Sequence, residues 1–407
     1  MFYRNRILTG FSWHSLFKFS SALIKLGKIA ILARLLTPND FGLFSLTTIA
    51  LGLTEAFTET GINTTIVQSR QSVSYFLNTA WIISIIRGLL IAVIMMILGL
   101  LLTSYYQEPQ LLFLIGIASL VPLIKGFINP AIITYYKQMA FFSDTLYRIS
   151  LEVMGTILAI GLTYLIRSAY ALVLAILLTA IYEVIITFVF VKEKPKFEFI
   201  KSRAQTIFHN AKWLNLSALL SYVNQNADNF LIGKLAGTFN LGIYQNAYAI
   251  SHKPYDVAQS VHHSTMPIYV QLVNKKRRLR QTSLKVMLLT MGLIVGISLP
   301  LFLFPKFWIL LILGQQWINV IPLLRLLLIA AWLQSFSALT YTLFISTKRY
   351  AYMNVHLAFT VLILLTSVIY LGQRYGLQGA VWGVMLSRLV TLPFSLYGVY
   401  QTSYKDS

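Results

Sequence analysis

Lys18, Lys25 and Lys28 lie in an otherwise apolar run, Phe11–Leu36, that ends beside Arg34. On a helix Lys18 and Lys25 sit about 20° apart, with Lys28 one turn on, so one face presents three cations. Such a face suits an anion, because phosphate and diphosphate favour lysine and arginine partners. The next apolar run carries Glu55 and Glu59, one turn apart. They suit a proton or sodium site, or ion pairs with the lysines opposite. Farther on, Ser221, Asn224, Gln225 and Asp228 recur at helical spacing as one polar stripe, and Lys253 and Asp256 follow one turn apart. The candidate anion-binding set is therefore Lys18, Lys25, Lys28, Arg34, Asn224 and Lys253. The candidate ion-coupling set is Glu55, Glu59, Asp228 and Asp256. Blander readings stand beside these: lysines snorkel to an interface, and Lys253 can simply pair with Asp256. Lone Arg87, Lys125, Glu152, Glu183, Lys212, Lys285, Arg325 and Arg388 read as interfacial or internally paired.

The elements that carry these residues must cross a membrane. Of 407 residues, 57% are hydrophobic and 11% charged, with mean hydropathy +0.71; a soluble domain carries about 25% charged residues. A bilayer span needs roughly 20 mostly apolar residues. Twelve runs qualify: Phe11–Leu36, Phe41–Val67, Phe76–Leu102, Leu111–Tyr135, Leu146–Leu165 and Ala169–Val191, then Ile207–Leu235, Leu241–Leu272, Leu284–Leu313, Val320–Ser346, Tyr352–Leu371 and Leu377–Gln401. The expected fold is an all-α polytopic membrane protein: a six-helix bundle over 1–192, a polar cytoplasmic linker over 193–205, and a second six-helix bundle over 206–407. A charge in hydrocarbon costs several kcal/mol, so Lys25 and its companions should face a bundle interior or a wet cavity.

The net charge of +21 fits basic cytoplasmic loops better than nucleic acid. With the N-terminus in the cytoplasm, 18 of the 33 lysines and arginines fall on cytoplasmic segments and 5 on outer turns, so both termini are expected inside. The cluster Lys275, Lys276, Arg277, Arg278 and Arg280 then reads as a match for anionic lipid headgroups. No cleavable signal peptide is read at the start, because the apolar run is long and contains lysines. The chain has no cysteine, which excludes thiolate, disulfide and iron–sulfur chemistry. Its six histidines show no metal-ligand spacing, and no phosphate-binding glycine-rich loop of an ATPase occurs.

The first hairpin has an echo. A shift of 200 sets Trp13 on Trp213, Leu16 on Leu216, Ser21 on Ser221, Arg34 on Lys234, Leu35 on Leu235, Gly42 on Gly242, Leu43 on Ile243 and Phe44 on Tyr244, without a gap. This reads as an internal duplication. Transporter folds often carry such repeats, with the substrate site between the halves.

The stretch Ala33-Arg34-Leu35-Leu36-Thr37-Pro38-Asn39-Asp40-Phe41-Gly42-Leu43-Phe44 resembles the hallmark of the polysaccharide transporter family. Glu59-Thr60-Gly61-Ile62 and Ile66-Val67-Gln68 continue the likeness. That family includes the O-antigen (Wzx-type) and exopolysaccharide flippases, within the multidrug/oligosaccharidyl-lipid/polysaccharide (MOP) exporter superfamily. The resemblance is strong over about residues 5–150, and beyond that rests mostly on hydropathy and length. It implies two six-helix bundles around a central cavity. It also implies movement of a polyprenyl-diphosphate-linked oligosaccharide from the cytoplasmic to the periplasmic leaflet of the inner membrane, coupled to a proton or sodium gradient, with no other cofactor. A polysaccharide polymerase or chain-length regulator is a candidate partner of an otherwise monomeric carrier in contact with membrane lipids; no nucleic acid is implied. Some members have fourteen spans; this chain reads as twelve. A drug or small-cation antiporter of the same superfamily is the alternative, disfavoured because its cavity should be net acidic. An enzyme using the same lipid should carry a sizeable outer loop with carboxylates, and the outer turns here are short.

Overall fold

The computed structural model describes residues 20–58, 61–69, 71–138, 140–347 and 349–403. Lys18 and Glu59 lie outside them, and the side chain of Trp213 is likewise outside the description. Every described element is helical, and no strand occurs among the described residues.

The first helix, α1, is described over 20–35 and turns at once into α2 (Pro38–Phe57). Thr37 starts α2: its hydroxyl accepts from the Asp40 backbone N–H, while the Asp40 carboxylate accepts from the Thr37 backbone N–H at 3.0 Å. Pro38 at the first helical position has a ring preset for this geometry and no donor to waste. The other oxygen of Asp40 accepts from the Ala169 N–H at 3.0 Å and so ties a second helix start to the same turn.

There follow α3 (Ile62–Gln68), α4 (Val73–Tyr106), α5 (Gln110–Lys125), a 3-10 turn at Pro130–Ile132, α6 (Ile133–Lys137), α7 (Phe141–Ile166) and α8 (Ala169–Phe190). The long helix α9 (Lys201–Ser251) leads to α10 (Lys253–Leu272), α11 (Lys276–Leu303), α12 (Pro305–Ile312), α13 (Ile321–Ser346) and α14 (Tyr350–Ser403). By length and composition six described helices can cross a membrane, or seven if α5 and α6 count as one bent span. Their outward faces are apolar, with Leu165, Val189 and Leu288 more than 70% exposed. Such faces suit acyl chains rather than water, and the chain is a multi-pass membrane protein.

Several expected spans are broken. The Phe41–Val67 run ends as helix at Phe57 and resumes at Ile62 after Gly61, whose φ is +59°. The Leu111–Tyr135 run bends by 67° between Lys125 and Pro130; Pro122 in the turn before the bend and Pro130 after it lack the N–H that a continuous helix needs. The Leu284–Leu313 run breaks at Phe304, between Pro300 and Pro305. Two turns sit where they were expected. Gly237 interrupts α9 at φ +82°, a conformation costly for any residue with a Cβ, and Gly376 interrupts α14. The segment before Lys201 is fastened rather than free: Asn78 accepts from the Lys196 N–H at 2.9 Å and donates to the Glu198 carboxylate at 2.7 Å, and Thr79 accepts from the Ile200 N–H.

By compactness the chain divides into Met1–Asn226 and Ala227–Ser407. In the first unit α4 packs on α5, α7 on α8, and α5 on both α8 and α2. In the second, α13 packs on α14 and α10, and α11 on α10 and α13. The two hairpins share a burial pattern in the shifted register. Leu32 and Ile232 are buried, Arg34 and Lys234 exposed, Leu35 and Leu235 intermediate, and Gly42, Leu43, Gly242 and Ile243 buried.

Candidate functional site

Charged side chains from four helices meet in the first unit. Lys28 of α1, Lys125 of α5, Arg148 and Glu152 of α7 and Glu183 of α8 line a cavity of about 500 Å³. Leu32, Ala159, Leu172 and Ala175 pack beside it with Phe41 and Phe44, so an apolar cluster fixes the backbones that carry the charges. A neighbouring cavity of about 600 Å³ is bordered by Glu55, Arg87, Asp144 and Tyr147, and shares Lys125, Arg148 and Glu183 with the first.

Most of these charges are answered locally. Lys25 lies 3.6 Å from the Glu152 carboxylate, which also accepts from the Ser21 hydroxyl at 3.4 Å. Lys125 stands 3.8 Å from Glu55, and the Arg87 guanidinium donates to the Glu55 backbone carbonyl at 3.0 Å. Arg148 donates to Asp144 at 2.9 Å along its own helix, and the Tyr147 hydroxyl donates to Glu183 at 2.8 Å. Lys28 faces the cavity half-buried, in the electrostatic reach of Glu152 and Lys25. The first cavity thus holds three cations, Lys28, Lys125 and Arg148, against two carboxylates, Glu152 and Glu183.

The pairing differs from the simplest sequence reading. Glu55 meets Lys125 rather than a lysine of α1, and Lys25 meets Glu152. Lys125, Arg148, Glu152 and Glu183 are cavity residues that spacing alone did not select. For Lys125, Glu152 and Glu183 the signal was a lone charge inside an apolar run, which is by default a candidate for function; Arg148, four residues from Asp144, gave no such signal. Arg34 is exposed just before the α1–α2 turn.

In the second unit Asp228 is 3% exposed, and both its oxygens are engaged: Tyr244 donates its hydroxyl to one and the Asn229 N–H donates to the other at 2.8 Å. Lys253 and Asp256 form an exposed pair at 3.5 Å within one turn of α10. On α9, at the end of the first unit, the side-chain oxygen of Asn224 is buried and accepts no hydrogen bond among the described residues. Glu59 and Lys18 lie outside the described residues. No three His, Cys, Asp or Glu side chains among the described residues gather as a metal site would require.

Residues 31–322 match the family model described as polysaccharide biosynthesis protein. The chain belongs to that family. The match takes in the α1–α2 hairpin from residue 31, the second cavity, the first cavity except Lys28 and Ile29, and the second unit as far as residue 322. Among curated relatives the chain is similar to an uncharacterized membrane protein in the cps region of Klebsiella pneumoniae, 22% identical, with 95% of this chain and 80% of that one covered. It is also similar to the lipopolysaccharide biosynthesis protein WzxC of Escherichia coli K12, 19% identical over 97% and 81%. A third relative is the teichuronic acid biosynthesis protein TuaB of Bacillus subtilis 168, 23% identical over 80% and 68%. The fold is that of an inward-facing MATE family multidrug resistance transporter of the MOP superfamily, with TM-score 0.70 at 16% identity, covering 95% of this chain and 96% of that one. The lipid II flippase MurJ in an inward closed conformation gives TM-score 0.71 at 13% identity, over 96% and 89%.

Proposed function

We propose that this family member is a flippase. It moves polyprenyl-diphosphate-linked oligosaccharide repeat units from the cytoplasmic to the periplasmic leaflet of the inner membrane, for surface polysaccharide synthesis. The observation that carries this reading is the charged cavity of the first unit, where Lys28, Lys125 and Arg148 converge inside a membrane-spanning bundle. A transporter of small cations would need a net acidic cavity, and this one has more cations than carboxylates. The relatives named for lipopolysaccharide and teichuronic acid biosynthesis support the same cargo class.

Alternating access of two six-helix bundles, twelve spans in all with both termini in the cytoplasm, belongs to the proposal. So does coupling to protons or sodium at Glu55, Glu59, Asp228 and Asp256. While a carboxylate is charged and unoccupied it competes with cargo for the cations; neutralising it frees them. Lys18, Lys25, Lys28, Arg34, Asn224 and Lys253, joined now by Lys125 and Arg148, contact the cargo on this reading, and the carrier works as a monomer.

The test is export of surface glycan in a strain deleted for the chain and complemented with variants of matched membrane abundance. Lys28→Ala abolishes export, and Lys28→Arg retains part of it. Normal export by both Lys25→Ala and Lys28→Ala overturns the cationic-cavity mechanism.

A further inference from the structure

Between Asp256 and Asp406 the chain contains thirteen lysines and arginines and not one acidic residue. The two described carboxylates of the second unit are already engaged, Asp228 by Tyr244 and Asp256 by Lys253. For the exposed Arg278 and Lys285 the segment itself supplies no carboxylate.

Helix α11 shows where one would sit. Its inner face is buried through Ser283, Met287, Thr290, Ile294 and Ser298. Its outer face is segregated along the axis. Seven-residue steps return to one line within about 20°, and along that line Arg278, Lys285, Gly292 and Leu299 are all exposed. No ion pair joins Arg278 or Lys285 to a carboxylate among the described residues. Below Lys285 the face turns apolar: Leu288 is 73% exposed and Leu289 65%. Gly292 and Gly296, one turn apart, leave a shallow groove, since a Cβ at either would meet nothing within 4 Å. From Lys285 to Leu299 the helix advances about 21 Å, enough to cover the roughly 15 Å of hydrocarbon in one leaflet. Cations at one end and a grooved apolar strip at the other match a phospholipid in charge and in length.

We propose that the outer face of α11 is a binding site for an anionic phospholipid, its headgroup held by Arg278 and Lys285 and one acyl chain lying along Gly292 and Gly296. This inference is independent of the cargo. A basic residue near an anionic headgroup contributes about fivefold to affinity.

Native mass spectrometry of the full chain in detergent, titrated with phosphatidylglycerol and separately with phosphatidylcholine, tests it. The first phosphatidylglycerol should bind at least tenfold more tightly than the first phosphatidylcholine. Arg278→Gln with Lys285→Gln should weaken the former by about 25-fold and leave the latter unchanged, while Arg278→Lys with Lys285→Arg should retain it. Both substituted positions are exposed, and an unchanged thermal transition confirms the fold. Equal binding of the two lipids, or wild-type phosphatidylglycerol affinity in the glutamine variant, overturns the proposal. So does a dimer lost on Gly292→Leu with Gly296→Leu while phosphatidylglycerol affinity stays unchanged, because the face would then be an interface between two copies.

Discussion

Gly52 and Tyr222 show how closely the wall beside Glu55 is fitted. The Tyr222 ring lies where a Cβ on Gly52 would stand, 2.5 Å away, and its hydroxyl donates to the Ile49 carbonyl at 3.0 Å. Gly52→Ala should overpack this contact and cost about 1–3 kcal/mol of stability. Tyr222→Ala empties the site, so the double variant should lose less than the sum of the singles. Thermal unfolding in detergent measures the cycle, and strict additivity would mean the two residues do not touch. Neither residue was legible as a pair in the sequence, because 170 positions separate them and no pattern marks their meeting. Lys25, Lys28 and Glu55 were legible, since a charge in an apolar run identifies itself. Their partners were not: Lys25 could face any acid brought in by packing, and the fold supplies Glu152.

At the scale of elements, the stretch that identifies the family is a piece of helix-capping machinery. Asp40 closes the capping box of α2 with Thr37 and also accepts the backbone N–H of Ala169 at the start of α8. One carboxylate therefore holds two helix starts, and the Thr-Pro-Asn-Asp turn is a structural joint rather than a cargo contact. Asp40→Ala should cost about 1–3 kcal/mol, from the lost cap and the orphaned Ala169 N–H. Asp40→Asn keeps a carbonyl acceptor and should cost less. Equal transition temperatures for the two variants would argue against the double cap. The turn at Thr37 and the break at Gly237 fall where one apolar run was read to end and the next to begin, and the all-helical class followed from the length of those runs. The helix end at Phe57, the break at Gly126–Asn129 and the break at Phe304 were hidden, because hydropathy continues across them while the helix does not. Lys137 illustrates the same limit. It reads as a topological charge, yet its ammonium donates to the carbonyls of Ile66, Ser69 and Gln71 and anchors the turn that leads into α4.

For the whole molecule the question is whether the 200-residue echo is a parallel or an inverted duplication. An even number of spans per half returns the chain to the starting side, so the second half begins in the orientation of the first. With six spans in each half, as expected from the sequence, equivalent turns would open on the same side of the membrane. The shared burial of Leu32 with Ile232 and of Gly42 with Gly242 supports the equivalence without fixing the orientation. The chain contains no cysteine, so single cysteines can be introduced directly as accessibility probes. Asn39→Cys and Phe239→Cys mark the two equivalent turns. Lys194→Cys and Arg277→Cys mark segments whose positive charge assigns them to the cytoplasm. In intact cells whose periplasm is open to a membrane-impermeant maleimide, the first two should label, and the second two only after the inner membrane is permeabilised. Labelling of Asn39→Cys and Phe239→Cys from opposite sides would make the repeat inverted, with an odd number of crossings between the turns, and the twelve-span scheme would fall. Labelling of both from the cytoplasm would keep the parallel repeat and reverse the topology.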